Sequence, residues 1–137
     1  MPDFTGSRLD HLNIVVSDME RALAFYAPAL ESIGIVSLMD VPPGATGPDG
    51  PWMHGFGWEH KPFFWLVQGR PSDPPPHVAF TVPTRDDVRA FHEAALAAGA
   101  TSRDAPAVRA EYHPTYYGAF VNDPDGVNVE AVCHAPE

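Results

Sequence analysis

Three side chains of the sequence have types and positions suited to binding a divalent metal ion. His11 and His77 each stand at the start of an apolar segment, and Glu130 stands inside a third such segment, residues 127–133. A carboxylate among apolar strand residues is costly unless it is paired or bound to a cation. Two neutral imidazoles and one carboxylate suit Zn, Fe(II), Mn, Ni or Co. The sequence therefore predicts a site for one divalent metal at His11, His77 and Glu130.

Each of these residues also has a purely structural interpretation. A histidine in a strand is often an ordinary hydrogen-bonded or exposed residue, and a duplicated scaffold would produce the same spacing. Glu130 could instead form a buried ion pair with an arginine such as Arg103 or Arg109. The sequence leaves these alternatives open.

An internal repeat is the main evidence for the elements that position these side chains. The shift that places His11 over His77 also places Asp18 over Thr84, Phe25 over Phe91 and Leu30 over Leu96. Asp and Thr are good helix N-caps, and Gly34 and Gly99 follow the two helices at nearly equivalent positions. The repeat predicts two copies of one strand–helix–strands module.

The hydrophobic periodicity gives each module the order βαβββ. We predict helices over 18–31 and 84–98, the first kinked or shortened by Pro28. The later strands are predicted at 35–41, 53–58 and 62–68, and at 101–105, 115–122 and 126–133, with a turn at 123–126. Module one then spans about 9–68, a Pro/Gly-rich linker 69–76, and module two 77–133, within a single domain.

Composition and charge exclude several classes of function. The 137 residues carry a net charge of -10, which would repel a phosphate backbone or an anionic membrane. The sequence has no apolar run of membrane-spanning length, and Met1 to Arg8 lacks the pattern of a signal peptide. Cys133 is the only cysteine, so no intrachain disulfide can form. We expect a cytoplasmic enzyme or binding protein for a small molecule, with neither nucleic acid nor membrane as partner.

The sequence resembles the vicinal-oxygen-chelate superfamily, which includes glyoxalases, extradiol dioxygenases, fosfomycin-resistance enzymes and bleomycin-resistance proteins. The resemblance covers about residues 9–133. Its carriers are LDHLNIVVSD with the FY that follows, the strand HVAF, and AFVNDPDG leading into NVEAV. It implies an α+β fold in which two tandem βαβββ modules form a curved, half-open barrel with the helices outside. It also implies a homodimer, and it carries the family's metal ligands over to His11, His77 and Glu130.

One ligand position of the family differs in this chain. Many members have Glu, Gln or His in the last strand of module one, where this chain has Trp65. Three protein ligands would leave coordination positions open for water and substrate, with Gln68 and His54 as weaker candidates for a fourth. Trp65 and Phe63 share a strand face and are predicted to form an apolar wall for a flat substrate. The alternative is that Trp65 only packs inside the barrel.

Residues 109–117 are rich in polar aromatic side chains. Tyrosine and histidine can donate protons or hydrogen bonds to a metal-bound oxyanion. We therefore predict Tyr117 and His113 as catalytic residues and Tyr116 as a substrate-binding residue. The alternative is a loop that packs on the edge of the barrel.

The function implied by the resemblance is that of a metal-dependent, glyoxalase-like lyase or isomerase acting on a small oxygen-bearing substrate. Two alternatives are an Fe(II) extradiol-type dioxygenase, which also uses two histidines and a carboxylate, and a metal-free binding protein of the bleomycin-resistance kind. The fold alone does not choose among these chemistries.

Overall fold

The computed structural model describes residues 8–137. We interpreted residues 1–8 as lacking the pattern of a signal peptide. Residues 1–7 of that segment lie outside the described residues. The elements are β1 (Leu12–Val16), α1 (Met19–Glu31), β2 (Val36–Val41), β3 (Met53–Trp58), β4 (Lys61–Gln68), β5 (His77–Thr81), α2 (Arg85–Ala97), β6 (Thr101–Val108), β7 (Tyr117–Asn122) and β8 (Asn128–Cys133). None of the described helices is long and apolar enough to cross a membrane.

The strands form two four-stranded sheets of the same topology. One sheet has the order β1-β4-β3-β2 and the other β5-β8-β7-β6, with the first strand of each module parallel to the last and the other pairs antiparallel. The predicted α+β fold with two βαβββ modules is confirmed, and the sheets remain open rather than closing into one barrel. Strand β1, which follows His11, and strand β5, which begins with His77, each lie at an edge of their sheet.

Both helices begin where their N-caps predict. The Asp18 side chain accepts a hydrogen bond from the backbone N–H of Arg21 at the start of α1. Thr84 and Asp87 form a reciprocal capping box at the start of α2, which confirms a structural role for that aspartate. Helix α1 is not shortened at Pro28 but continues to Glu31.

The core lies between the helices and one face of each sheet. The alternation of strand side chains puts Ile14, Val16, Phe64 and Leu66 of the first sheet and Val78, Phe80, Val129 and Ala131 of the second into one continuous cluster. The rings of Phe64 and Phe80 meet edge to face, with centroids 5.1 Å apart. In the second sheet, Glu130 therefore points to the opposite face, away from these core residues.

The turn between β7 and β8 fastens module two to α1 of module one. The buried carboxyl of Asp123 accepts hydrogen bonds from the Tyr26 hydroxyl and from the backbone N–H groups of Asp125 and Val127. The Asp125 carboxylate accepts from the backbone N–H and the hydroxyl of Ser17, just before α1. The motif DPDG thus has a structural role that joins the two modules.

Candidate metal centre

His77, Glu130 and Tyr116 meet on the face of the second sheet that lies away from α2. His77 and Glu130 come from the adjacent parallel strands β5 and β8, and the distance from His77 Nε2 to Glu130 Oε1 is 2.9 Å. The Tyr116 hydroxyl donates a hydrogen bond to the other carboxylate oxygen, Oε2. The Glu130 side chain is only 1% exposed, whereas that of His77 is 47% exposed. A buried carboxylate therefore faces a solvent-accessible imidazole.

Burial dominates the electrostatics of this cluster. Desolvation raises the pKa of Glu130 above its usual range, although the hydrogen bonds from Tyr116 and His77 and the charge of Arg109 act in the opposite direction. Desolvation and the neighbouring carboxylate raise the pKa of the Tyr116 phenol. Tyr116 therefore stays protonated and acts as a hydrogen-bond donor to Glu130 at neutral pH.

Both ring nitrogens of His77 face hydrogen-bond acceptors. Nδ1 lies 3.1 Å from the backbone carbonyl oxygen of Asn128, and Nε2 faces the Glu130 carboxylate. A carbonyl oxygen cannot donate, so the contact with Asn128 requires a proton on Nδ1. The contact between Nε2 and Glu130 then requires one more proton, either on Nε2 or on the carboxyl of Glu130, or a cation bound by both groups. Ligating histidines commonly donate their second N–H to a carbonyl or carboxylate, so this pair fits two positions around a metal ion.

His11, Trp65 and Phe63 form a second group, in module one. His11 is 53% exposed, and its Nδ1 lies 2.7 Å from a carboxylate oxygen of Asp10. This contact leaves Nε2 as the ring nitrogen able to ligate. His11 and Trp65 line a cleft of about 350 Å³, and His11 and Phe63 line an adjoining cleft of about 310 Å³ between the modules. Neither cleft is lined by His77 or Glu130.

The described residues of one chain do not bring the three predicted ligands together. Residues 8–137 contain no group of three or more His, Cys, Asp or Glu side chains placed to hold one metal ion. His77 and Glu130 are adjacent, but the contacts of His11 are with module one. The two weaker candidates for a fourth ligand lie elsewhere, since Gln68 accepts from the backbone N–H of Met19 and His54 contacts Asp40 and Ser37.

The two predicted catalytic residues lie on opposite sides of the second sheet. Tyr117 faces α2, where its ring packs beneath the guanidinium groups of Arg85 and Arg89. His113 lies next to Tyr116, with ring centroids 5.4 Å apart, and its Nε2 is 2.7 Å from Nδ1 of His134. Of the two neighbouring tyrosines, Tyr116 is thus the one that contacts Glu130.

Phe120 and Asn128, which lie beside the pair, were not identified from the sequence, and Arg109 was considered there only as an ion-pair partner of Glu130. Phe120 lies opposite Glu130 on β7, with the His77 ring stacked at 6.1 Å on one side and the Arg109 guanidinium 5.4 Å away. Arg109 and Asn128 each bury a polar side-chain atom, Nε and Oδ1, that has no hydrogen-bond partner within residues 8–137. Such orphaned atoms mark places where a ligand or water can bind.

Gly118 provides the room in which Glu130 and Tyr116 meet. A Cβ at this position would lie 3.0 Å from Glu130 Oε2 and 3.1 Å from Cε1 of Tyr116. A glycine inside a strand often marks such a close approach, so this signal was present in the sequence.

The sequence of this chain matches the Glyoxalase/Bleomycin resistance protein/Dioxygenase superfamily over residues 8–131. The chain therefore belongs to this superfamily, as the motifs of its two modules indicated. A search of curated proteins found no match.

Solved structures share the fold at low sequence identity. A glyoxalase/bleomycin resistance protein from Albidiferax ferrireducens T118 is 21% identical, with a TM-score of 0.72 over 94% of this chain and 100% of that chain. A mutant of glyoxalase I from Zea mays is 21% identical, with a TM-score of 0.66 over 90% of this chain and 46% of the larger one. A mutant of the fosfomycin resistance protein FosX from Listeria monocytogenes, complexed with Mn(II) and 1S,2S-dihydroxypropylphosphonic acid, is 16% identical, with a TM-score of 0.63 over 93% of this chain and 90% of that chain.

Proposed function

We propose that this protein is a metal-dependent, glyoxalase-like enzyme of the lyase or isomerase type, acting on a small substrate with adjacent oxygen atoms. The observation that carries the proposal is the buried carboxyl group of Glu130, which faces Nε2 of His77 in a contact that either a proton or a metal ion can satisfy. A divalent metal held there by His77 and Glu130 would act as a Lewis acid toward two adjacent substrate oxygens. The relative FosX, complexed with Mn(II), is consistent with this proposal.

The surrounding side chains have separate roles in this proposal. Tyr116 orients Glu130 through its hydrogen bond, which differs from the donation to a metal-bound oxyanion that we predicted for Tyr117. His113 supports Tyr116 from the side. Arg109, with a buried Nε that lacks a partner among residues 8–137, contributes positive charge toward an anionic group of the substrate.

We further propose that His11 of a second copy of the chain completes the site in a homodimer. One chain supplies two adjacent ligands, whereas its own His11 lines two clefts, one in module one and one between the modules, and neither is lined by His77 or Glu130. His11 is nevertheless exposed, with Nε2 available and Nδ1 held by Asp10. Strands β1 and β5 are edge strands, whose unpaired backbone groups can join another chain. Trp65 and Phe63, beside His11, would then form the apolar wall of the shared site.

Metal analysis of protein purified without a histidine tag tests the ligand assignment. Glu130→Gln, His77→Gln and His11→Gln should each lower the bound metal to near background, whereas His60→Gln in the β3–β4 turn serves as a matched control and should retain it. Wild-type protein without metal would overturn the metal-dependent function and favour the metal-free binding protein. Full metal in all three ligand variants would place the site elsewhere.

Mixing two inactive variants tests whether His11 acts across a dimer. If it does, a heterodimer of His11→Gln with Glu130→Gln contains one intact site, because each chain provides what the other lacks. Co-refolded equimolar protein should regain about a quarter of the wild-type metal content, since half of the dimers would carry one of two sites. If His11 acts within its own chain, no metal returns. Either that result or a monomer mass in light scattering refutes the dimeric site.

Two measurements separate the reaction types. Oxygen consumption with catechol-like substrates would indicate the Fe(II) dioxygenase, which uses the same donor set. Exchange of a substrate C–H proton with deuterated solvent, in the absence of oxygen uptake, would support the lyase or isomerase. We also propose a cytoplasmic location, because the lone buried thiol of Cys133 suits a reducing compartment; cell fractionation tests it.

A further inference from the structure

Ser37, His54 and Asp40 form a hydrogen-bonded chain in the first sheet, away from Glu130. The distance from Ser37 Oγ to His54 Nε2 is 2.9 Å, and that from His54 Nδ1 to Asp40 Oδ1 is also 2.9 Å. The Trp52 indole N–H donates to the same Asp40 oxygen at 2.7 Å. None of these residues belongs to the candidate metal centre. The order hydroxyl, imidazole, carboxylate is that of an activated serine nucleophile.

A β-bulge in β2 makes this arrangement possible. Ser37 pairs with Phe56 and Asp40 pairs with His54, with a register shift between Ser37 and Met39. In a regular strand two residues three positions apart point to opposite faces. The extra residue changes the parity, so that Ser37 and Asp40 point to the same side as His54. Bulges often re-aim side chains near functional sites.

The protonation states along the chain follow from the contacts. The hydrogen bonds from Trp52 and His54 lower the pKa of Asp40, so its carboxylate is ionised at neutral pH. An ionised carboxylate only accepts, and therefore Nδ1 of His54 carries the ring proton. In the neutral ring Nε2 then presents its lone pair to the Ser37 hydroxyl. The imidazole is held in the tautomer that a general base requires.

The site is open to a ligand. Ser37 and Asp40 are exposed, while the His54 side chain is only 13% exposed and is held against Phe56. Strand β2 is the outer strand of its sheet, so alternate backbone N–H groups beside Ser37 pair with no other strand of residues 8–137. Outward N–H groups are the donors that stabilise an oxyanion during acyl transfer.

We propose that Ser37, His54 and Asp40 form a second active site, an acyl-accepting serine that hydrolyses activated esters. Ser37 Oγ forms a bond to the acyl carbon while its proton passes to His54 Nε2. The bond from the acyl carbon to the leaving oxygen then breaks, and that oxygen takes the proton from Nε2. Water, deprotonated by the same nitrogen, hydrolyses the acyl-Ser37 ester and restores the hydroxyl. Trp52 is a positioning residue that holds Asp40.

Labelling with a fluorophosphonate ester tests the proposal directly, because such probes form a stable adduct with activated serines. Intact-mass and peptide mass spectrometry should find a single adduct on Ser37 in the wild-type protein. Ser37→Ala should abolish the adduct and the hydrolysis of p-nitrophenyl acetate above the background rate. His54→Gln should slow labelling by at least about 100-fold, the scale of general-base catalysis, and Asp40→Asn should slow it less.

Ser102 is a matched control within the same chain. Its hydroxyl lies 2.8 Å from His92 Nε2, but no carboxylate among residues 8–137 contacts Nδ1 of that histidine. Ser102 should therefore remain unlabelled. The proposal is overturned if folded wild-type protein gains no adduct on Ser37, if both serines react at equal rates, or if folded His54→Gln reacts as fast as the wild type. Circular dichroism and thermal unfolding of each variant establish that it is folded.

Discussion

The hydrogen bond between Tyr26 and Asp123, which joins the two modules, should contribute measurably to the free energy of unfolding. The Tyr26 hydroxyl donates to Asp123 Oδ2 at 2.6 Å, and the two residues are 0% and 5% exposed. Burial raises the pKa of the phenol well above its usual value, so the hydroxyl remains a donor. Tyr26→Phe removes this donor and leaves an oxygen of Asp123 buried without its partner, while Oδ1 keeps its two backbone donors.

The expected loss follows from the type of bond. A hydrogen bond to a charged group contributes about 1.5–3 kcal/mol, and we take about 2 kcal/mol as the cost at neutral pH. Unfolding entropy near 2.1 cal/mol/K per residue, applied to 137 residues, makes each kcal/mol worth about 3.5 °C in Tm. Tyr26→Phe should therefore unfold at a temperature about 7 °C lower than the wild type.

The sign of the pH dependence provides a second test. Burial raises the pKa of Asp123, and the Tyr26 hydrogen bond partly opposes that rise. Without the bond this pKa rises further. A carboxyl with a raised pKa stabilises the fold when protonated and loses that contribution as the pH rises through its folded pKa. The deficit of Tyr26→Phe should therefore be largest at neutral pH and should shrink toward roughly pH 4.

Thermal unfolding followed by circular dichroism at both pH values measures this effect. Tyr112→Phe, at an exposed tyrosine, is the matched control and should leave Tm unchanged. A double-mutant cycle with Asp123→Asn isolates the pair. A Tm of Tyr26→Phe equal to that of the wild type, or a deficit that does not change with pH, would refute the reasoning.

Three further predictions concern the candidate metal centre. Gly118→Ala crowds Glu130 and Tyr116, so calorimetry should show weaker metal binding. Gly126→Ala strains the turn backbone, where φ is +87°, but its Cβ meets nothing within 4 Å, so the folded variant should bind metal as the wild type does. Trp65→Glu adds a carboxylate at the predicted ligand position and should tighten metal binding; unchanged affinity would make that assignment wrong. In EDTA, the unfolding free energy of the wild type should fall more steeply than that of Glu130→Gln as the pH rises above 4.5, the usual pKa of Glu130. Only the wild type has the Glu130 carboxyl, whose raised pKa favours the protonated folded state.

Local pattern was sufficient to predict the secondary structure and the repeat. The caps Asp18 and Thr84 mark the starts of both helices, because their side chains satisfy backbone N–H groups that no helical carbonyl can reach. Alternation in β8 separates Glu130 from the core residues Val129 and Ala131, because successive strand side chains point to opposite faces. Both signals depend only on neighbours along the chain.

Contacts between distant segments could not be predicted from local sequence pattern. The sequence does not distinguish Tyr116 from Tyr117 as the partner of Glu130, because that choice depends on the register of β7 against β8, in which Tyr117 lies opposite Cys133. The chain of Ser37, His54 and Asp40 depends on a bulge whose position is set by the pairing of β2 with β3.

The sequence by itself determined the family, the two modules and the side chains with metal-binding chemistry, because each of these follows from residue types and short-range spacing. Only the tertiary structure decided which of those side chains meet. It joined His77 to Glu130 through parallel pairing of β5 with β8 and left His11 in module one. The physical reason is that the register between strands and the packing between modules arise from many weak contacts summed over the whole fold, and no short segment contains that sum.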